Sequence, residues 1–160
     1  MSIERLENPQ NAQKAMQAMF GLSNYIEKSG LEKNLLLLVD FRVSQINGCA
    51  YCLDMHSKDF RAGGDTEQRL YLLSAWRESP FYTERERSAL LWAESLTGLT
   101  KSENVPDEIF ERVRKQFSEQ ELIDLTMAVV AINGWNRLNI AFRNEPGSYQ
   151  PGQFSATQNA

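Results

Sequence analysis

Two cysteines and one histidine are the only residues of their types in this chain, and all three fall between Cys49 and His56. Cys52 and His56 are four residues apart, so on a helix they are neighbours on one face. Cys49 stands three residues before Cys52, at a helix start, where unpaired backbone N–H groups and the positive dipole end favour a thiolate. An adjacent imidazole can accept the Cys52 proton directly or through a water. Both effects favour the thiolate, the reactive form of the thiol. Two sulfurs at this spacing can also close a disulfide across one turn. The cycle that follows is oxidation of a thiolate to a sulfenic acid, resolution by the second thiol, and exchange with a carrier dithiol.

These residue types have other uses. Free cysteines are often small, inert core residues, but Asn47-Gly48 and Asp54 point to a helix start near the surface. A structural zinc needs four ligands; the chain offers two thiols and one imidazole, so Asp54, Asp59, a water or another subunit would have to complete the set. A thioredoxin-type site needs a βαβ setting, which this sequence does not supply.

The elements that must position the cluster read as helices almost throughout. Residues 9–29 open with Pro9 and place Ala12, Ala15, Met16, Met19 and Phe20 on one face. Residues 31–47 carry Leu35, Leu38, Val39, Arg42, Val43 and Ile46 on a stripe and end at Asn47-Gly48, a left-handed cap. A third helix covers 50–62 and closes at Gly63-Gly64. A fourth begins with Asp65 as N-cap and Gln68 reaching back. Thr83 to Glu86 is a capping box for the fifth, which ends near Gly98. Pro106-Asp107-Glu108 starts a short sixth, with acids in its first turn. Ser118 to Glu121 is a second capping box, opening a long helix to Phe142 in which Gly134 should mark a close approach. The sequence therefore predicts one all-α domain of six to seven helices over 1–145, with 146–160 as a flexible tail or an arm held only by a partner.

Composition narrows the function classes. The chain has 160 residues, 42% hydrophobic and 24% charged, with a formal net charge of -4. That balance suits a globular protein and gives no reason to expect nucleic acid or an anionic membrane as partner. The run from Leu35 to Val39 is far too short to span a bilayer, and the N-terminus carries acids where a secretory signal needs an apolar core. A cytoplasmic setting is expected, and close cysteines there are more often catalytic or metal-binding than structural.

The stretch from Arg42 to Asp59, with its Cys-x-x-Cys-x-x-x-His core, resembles the core motif of AhpD-like alkylhydroperoxidases in the carboxymuconolactone decarboxylase superfamily. The likeness continues through Glu67 to Leu70, Ala75 to Glu78, Phe81 to Arg87, Ala93 to Thr97 and Ile132 to Arg137, covering about residues 15–145. The resemblance implies an all-helical homo-oligomer, commonly a trimer or hexamer, that reduces peroxides without haem, flavin or metal. It implies that Cys52 attacks the peroxide, Cys49 resolves it and meets the dithiol reductant (a small molecule, or a lipoyl or thioredoxin-like carrier), and His56 relays the proton. One departure stands out. The family's relay glutamate falls twelve residues before the first cysteine, and that position is Leu37. Glu94 or Asp40 could substitute, although Glu94 reads more readily as a structural acid and Asp40 as part of a solvated helix face. Alternatively the protein is a redox sensor or partner-binding oligomer with weak turnover. The superfamily's decarboxylases need no cysteine pair, which argues against that chemistry.

Tyr51, between the cysteines, is placed to shape access to them. Trp76, Trp92, Trp135, Phe81 and Tyr82 read as core or subunit interface before substrate pocket. Arg42, on an apolar stripe, needs an acid from another helix or a subunit contact. The run Arg85, Glu86, Arg87 reads as a solvated face.

Overall fold

The computed structural model describes residues 5, 9–99 and 104–154. Among them are seven α-helices and no strand. After a 3-10 turn at Pro9–Ala12 come α1 (Gln13–Glu27), α2 (Lys33–Asn47), α3 (Ala50–Ala62), α4 (Glu67–Leu72, continued by a 3-10 turn at Leu73–Ala75), α5 (Glu84–Thr97), α6 (Asp107–Arg114) and α7 (Glu119–Phe142). None of these helices is long and apolar enough to cross a membrane.

The run from Leu35 to Val39 makes α2 apolar on several faces, and a helix of that kind belongs in the interior. One face, Leu35, Val39 and Val43, packs with Ala89 and Ala93 of α5 and Leu125, Val129 and Ile132 of α7. Another, Leu37 and Leu38, packs with Phe60, Leu70, Leu73, Trp76 and Leu90. Burying side chains of this size contributes about 1.5–3 kcal/mol each, which fixes α2 as the axis of the molecule.

Local signals set most helix ends. Both capping boxes form: Glu86 N–H donates to Thr83 Oγ1 and Thr83 N–H to Glu86, and Ser118 and Glu121 repeat the arrangement. Gly48 adopts φ 70° and ψ 34°, the left-handed cap expected after Asn47. A side chain on Gly134 would meet the Met19 terminal methyl of α1 at 2.9 Å, the close approach expected there. Asp65 departs from expectation: Thr66 is the N-cap of α4, without a side-chain cap bond, and exposed Gln68 does not close a box. The Asp65 carboxylate accepts instead from Thr66 N–H and from Arg69.

Two surface expectations are corrected. The Arg85–Arg87 run is half-buried and ties elements together. Arg85 pairs with Glu32 and Glu121 and lies over Phe117, Glu86 pairs with Arg69, and Arg87 donates to the carbonyls of Trp76, Arg77, Ser79 and Tyr82. The described part of the tail, residues 146–154, lies against α3 of its own chain. Lys58 donates to the carbonyls of Gly147 and Tyr149, Gly147 N–H donates to Asp54, and the buried Tyr149 hydroxyl donates to Asp59 at 2.7 Å. Residues 155–160 lie outside the described residues.

Candidate active site

The chain leaves α2 through Gly48 and re-enters a helix at once. The Cys49 N–H donates to the Ser44 carbonyl, which folds the turn back under α2. Cys49 is the N-cap of α3, its sulfur accepting from the Cys52 N–H at 3.4 Å. Cys49 and Cys52 are joined in a disulfide, with Cα atoms 5.4 Å apart. The structure thus shows the bridged form of the pair.

The pair is not near the surface, as Asn47-Gly48 and Asp54 had suggested. Cys49 is 1% and Cys52 0% exposed. What covers Cys52 comes from α7: the Asn139 amide donates to its sulfur at 3.4 Å and is held in turn by Asn144, which donates to Asn139 Oδ1 at 2.6 Å. Asn136 on the same helix donates to Ser44 and accepts from Asn47. Asn133 also accepts from Asn47, so Asn133, Asn136 and Asn139, spaced three apart on α7, fasten the cysteine turn. That spacing was the available sequence signal for Asn139, which local motif reading passes over.

His56 follows Cys52 by one turn of α3 and is buried, at 7% exposure. Neither ring nitrogen has a hydrogen-bond partner among the described residues. Burial alone pushes its pKa down to about 4, so the ring is neutral at physiological pH. Nδ1 faces Asp40 Oδ2 at 4.0 Å, longer than a hydrogen bond. Asp40 is therefore not on a solvated face. The part of its side chain left uncovered opens into a chamber, and burial, reinforced by the charge of Asp59, raises its pKa to about 8. Asp59 is itself raised by burial, against the pull of the Tyr149 hydroxyl and Lys33.

The chamber measures about 720 Å³ and is lined by residues of α1, α2, α3, α7 and the 149–154 arm. Leu37, Asp40, Tyr51, His56 and Asn139 all line it. Leu37 leaves apolar wall where the resemblance expects a carboxylate, and Asp40, three residues further along α2, presents one to His56. Neither cysteine lines it, while Asn139, which donates to the Cys52 sulfur, does.

Glu94 is committed elsewhere. It accepts from Arg42 Nε at 2.7 Å, Trp76 Nε1 at 2.9 Å and Arg77 at 2.6 Å. Burial works to raise its pKa, but those donors hold it below the ordinary value. Glu94 does not line the chamber; it answers the charge of Arg42, as an arginine on an apolar stripe requires. Asp54 and Asp59 are engaged by Lys58 and Tyr149. Of the aromatic residues, Trp76, Trp92 and Tyr82 are core, Phe81 is exposed and Trp135 lines the chamber.

Comparisons with known proteins give the family. Residues 10–95 match the carboxymuconolactone decarboxylase family. The uncharacterized protein YdfG of Bacillus subtilis is 41% identical over 145 residues, 91% of this chain and 98% of its own. A protein of unknown function from Agrobacterium tumefaciens, described as a candidate antioxidant defence protein AhpD, superposes with a TM-score of 0.85 at 41% identity. That match covers 91% of this chain and 99% of the other. The debrominase Bmp8 shares the fold alone, with a TM-score of 0.77 at 20% identity over 87% of this chain and 74% of its own. Sequence and fold together show that the chain belongs to the carboxymuconolactone decarboxylase family, as an AhpD-like member.

Proposed function

We propose that the protein is a thiol-dependent peroxidase that cycles between a Cys49/Cys52 dithiol and the disulfide. The observation that carries this is the bridged pair one turn from a neutral histidine with both nitrogens unpaired, itself facing a carboxyl group. In the reduced form the Cys52 thiolate attacks the terminal oxygen of a hydroperoxide. The O–O bond breaks, an S–O bond forms, and the leaving alkoxide takes a proton. His56 delivers it from Asp40, whose raised pKa keeps a transferable proton near neutral pH. Cys49 then attacks the Cys52 sulfenic acid; the S–S bond forms, the Cys49 thiol proton leaves with the sulfenic hydroxyl as water, and the single proton that Cys52 gave up on ionising restores Asp40. A dithiol is oxidised to its own disulfide as the Cys49–Cys52 bond is reduced. Each cycle thus turns one hydroperoxide and one dithiol into an alcohol, water and a disulfide.

With both sulfurs buried, small reactants reach Cys52 from the chamber past Asn139. A protein carrier reaches Cys49 only when the first turn of α3 opens. The same burial, with Leu37 at the relay position, favours a second reading as a redox sensor that bridges reversibly without turnover. Hydroperoxide consumption with a dithiol reductant separates them. Sustained loss in the wild type that disappears in Cys52→Ser supports the peroxidase; one equivalent consumed and no more supports the sensor. Equal activity in both proteins contradicts the role given to Cys52. Assembly as a homo-oligomer belongs to the same proposal. Ile123 and Val130, about half exposed and seven residues apart on α7, offer an apolar stripe for it.

A further inference from the structure

Opening the bridge leaves a negative charge on a sulfur that bulk water does not reach, since Cys52 is 0% exposed. Burial without a donor favours the protonated thiol. The Asn139 amide supplies a donor, 3.4 Å from the Cys52 sulfur. An anionic sulfur accepts hydrogen bonds and donates none, so Asn139 serves it only while the amide NH2 faces it. A half-turn of the amide, which is nearly symmetric in shape, would present Oδ1 to the thiolate instead. The direction is fixed from the far side. Asn144 Nδ2 donates to Asn139 Oδ1 at 2.6 Å, which leaves Asn139 Nδ2 for the sulfur.

Local structure holds Asn144 in place. Helix α7 ends with Arg143 in left-handed space, at φ 56° and ψ 47°. Arg143 N–H donates to the Ile140 carbonyl and Asn144 N–H to the Asn139 carbonyl, a pair of bonds that ends a helix by turning the chain back along its last turn. Three residues on, Gly147 N–H donates to Asp54 of α3. Residue 144 is thus pinned from both sides, and its side chain reaches Asn139 although the residue is exposed.

We propose that Asn144 is a positioning residue for Cys52: by donating to Asn139 Oδ1 it sets the Asn139 amide to donate to the Cys52 sulfur, and so holds that sulfur as the thiolate. The proposal rests on the peroxidase reading and adds to it the groups that ready one of the two sulfurs. The same donor serves the return half of the cycle. When a thiolate of the dithiol attacks the Cys49 sulfur, the S–S bond breaks and its electron pair passes to Cys52, the sulfur that Asn139 faces. The second thiolate of the dithiol then displaces Cys49 from the mixed disulfide, and the dithiol leaves as its own disulfide. The two protons of the dithiol go one to Cys49 and one, by way of the ionising Cys52, to Asp40.

The test reads the Cys52 thiol alone, in reduced protein carrying Cys49→Ser, from the pH dependence of its alkylation by iodoacetamide. Asn144→Leu removes the donor and frees the Asn139 amide to turn; it is expected to raise the Cys52 thiol pKa by about one unit, with the helical circular dichroism unchanged. Asn144→Asp, of the same shape but accepting only, draws the Asn139 NH2 to itself and is expected to raise it at least as far. In an Asn139→Leu background, Asn144→Leu is expected to have no effect, because the amide it acts through is gone. An unchanged thiol pKa in either Asn144 variant, or an equal rise from Asn144→Leu with and without Asn139, overturns the proposal. No peroxide enters these measurements, so their failure leaves the peroxidase reading standing. That reading fails separately, if Cys52→Ser consumes hydroperoxide as fast as the wild type.

Discussion

Replacing Asp40 with asparagine removes a proton and a charge while keeping the shape. As a general acid acting through His56, Asp40 is expected to contribute about 10²-fold to turnover, with little change in the affinity for the dithiol. The wild-type rate is expected to fall as pH rises through about 8, where Asp40 loses its proton, and Asp40→Asn to lack that limb. Stability gives an independent reading. The unfolded chain releases the Asp40 proton in the ordinary carboxylate range, whereas the folded protein keeps it to about 8, so this group lowers stability as pH rises between the two. His56 acts in the opposite sense below its ordinary value, because the folded protein resists protonation down to about 4. Urea denaturation of Asp40→Asn is therefore expected to gain on the wild type between pH 6.5 and 8, by about 1 kcal/mol or more. A constant difference between the two proteins across that window contradicts the assigned burial of Asp40. Asn139→Leu removes the donor to the Cys52 sulfur. Alkylation of the reduced protein at Cys52 is expected to slow by about tenfold, the equivalent of a charge-assisted hydrogen bond of ~1.5 kcal/mol. At this scale the sequence is legible where chemistry is local. Cys49, Cys52 and His56 can be read from their spacing on one helix. Asp40 and Asn139 join them only through the packing of α2 and α7 on α3, and Leu37 draws attention to a neighbouring turn.

The turn between α2 and α3 is what aims the cysteines. Gly48 occupies left-handed space that a β-carbon makes costly, so Gly48→Ala is expected to destabilise by about 1–2 kcal/mol in thermal or denaturant unfolding. An unchanged midpoint would mean that the turn adopts another conformation at no cost. Helix ends of this kind are written in a few adjacent residues, which is why Gly48 and the boxes at Thr83 and Ser118 can be read directly. Asp65 misleads for the same reason in reverse: its carboxylate has a stronger partner in Arg69, which reaches it from within α4 and also holds Glu86 of α5. The Arg85–Arg87 run is opaque from sequence because its partners, Glu32, Glu121 and the carbonyls from Trp76 to Tyr82, are brought in by other elements.

In the whole molecule, α2 is a central rod packed against α3, α5 and α7, and the all-α fold follows from helical periodicity alone. The arm does not, because its ties to Asp54, Lys58 and Asp59 span about ninety residues of sequence. Light scattering is expected to give a mass of three or six times 18.3 kDa, and Val130→Asp to shift it toward the single chain. A monomeric wild type would contradict the proposed assembly. The division of labour between the two sulfurs is tested most directly by trapping. Reduced Cys49→Ser treated with one equivalent of hydroperoxide and then dimedone is expected to carry one adduct, on Cys52. Reduced Cys52→Ser is expected to carry none. An adduct on Cys49, or none in either protein, contradicts the assignment of Cys52 as the sulfur that meets the peroxide.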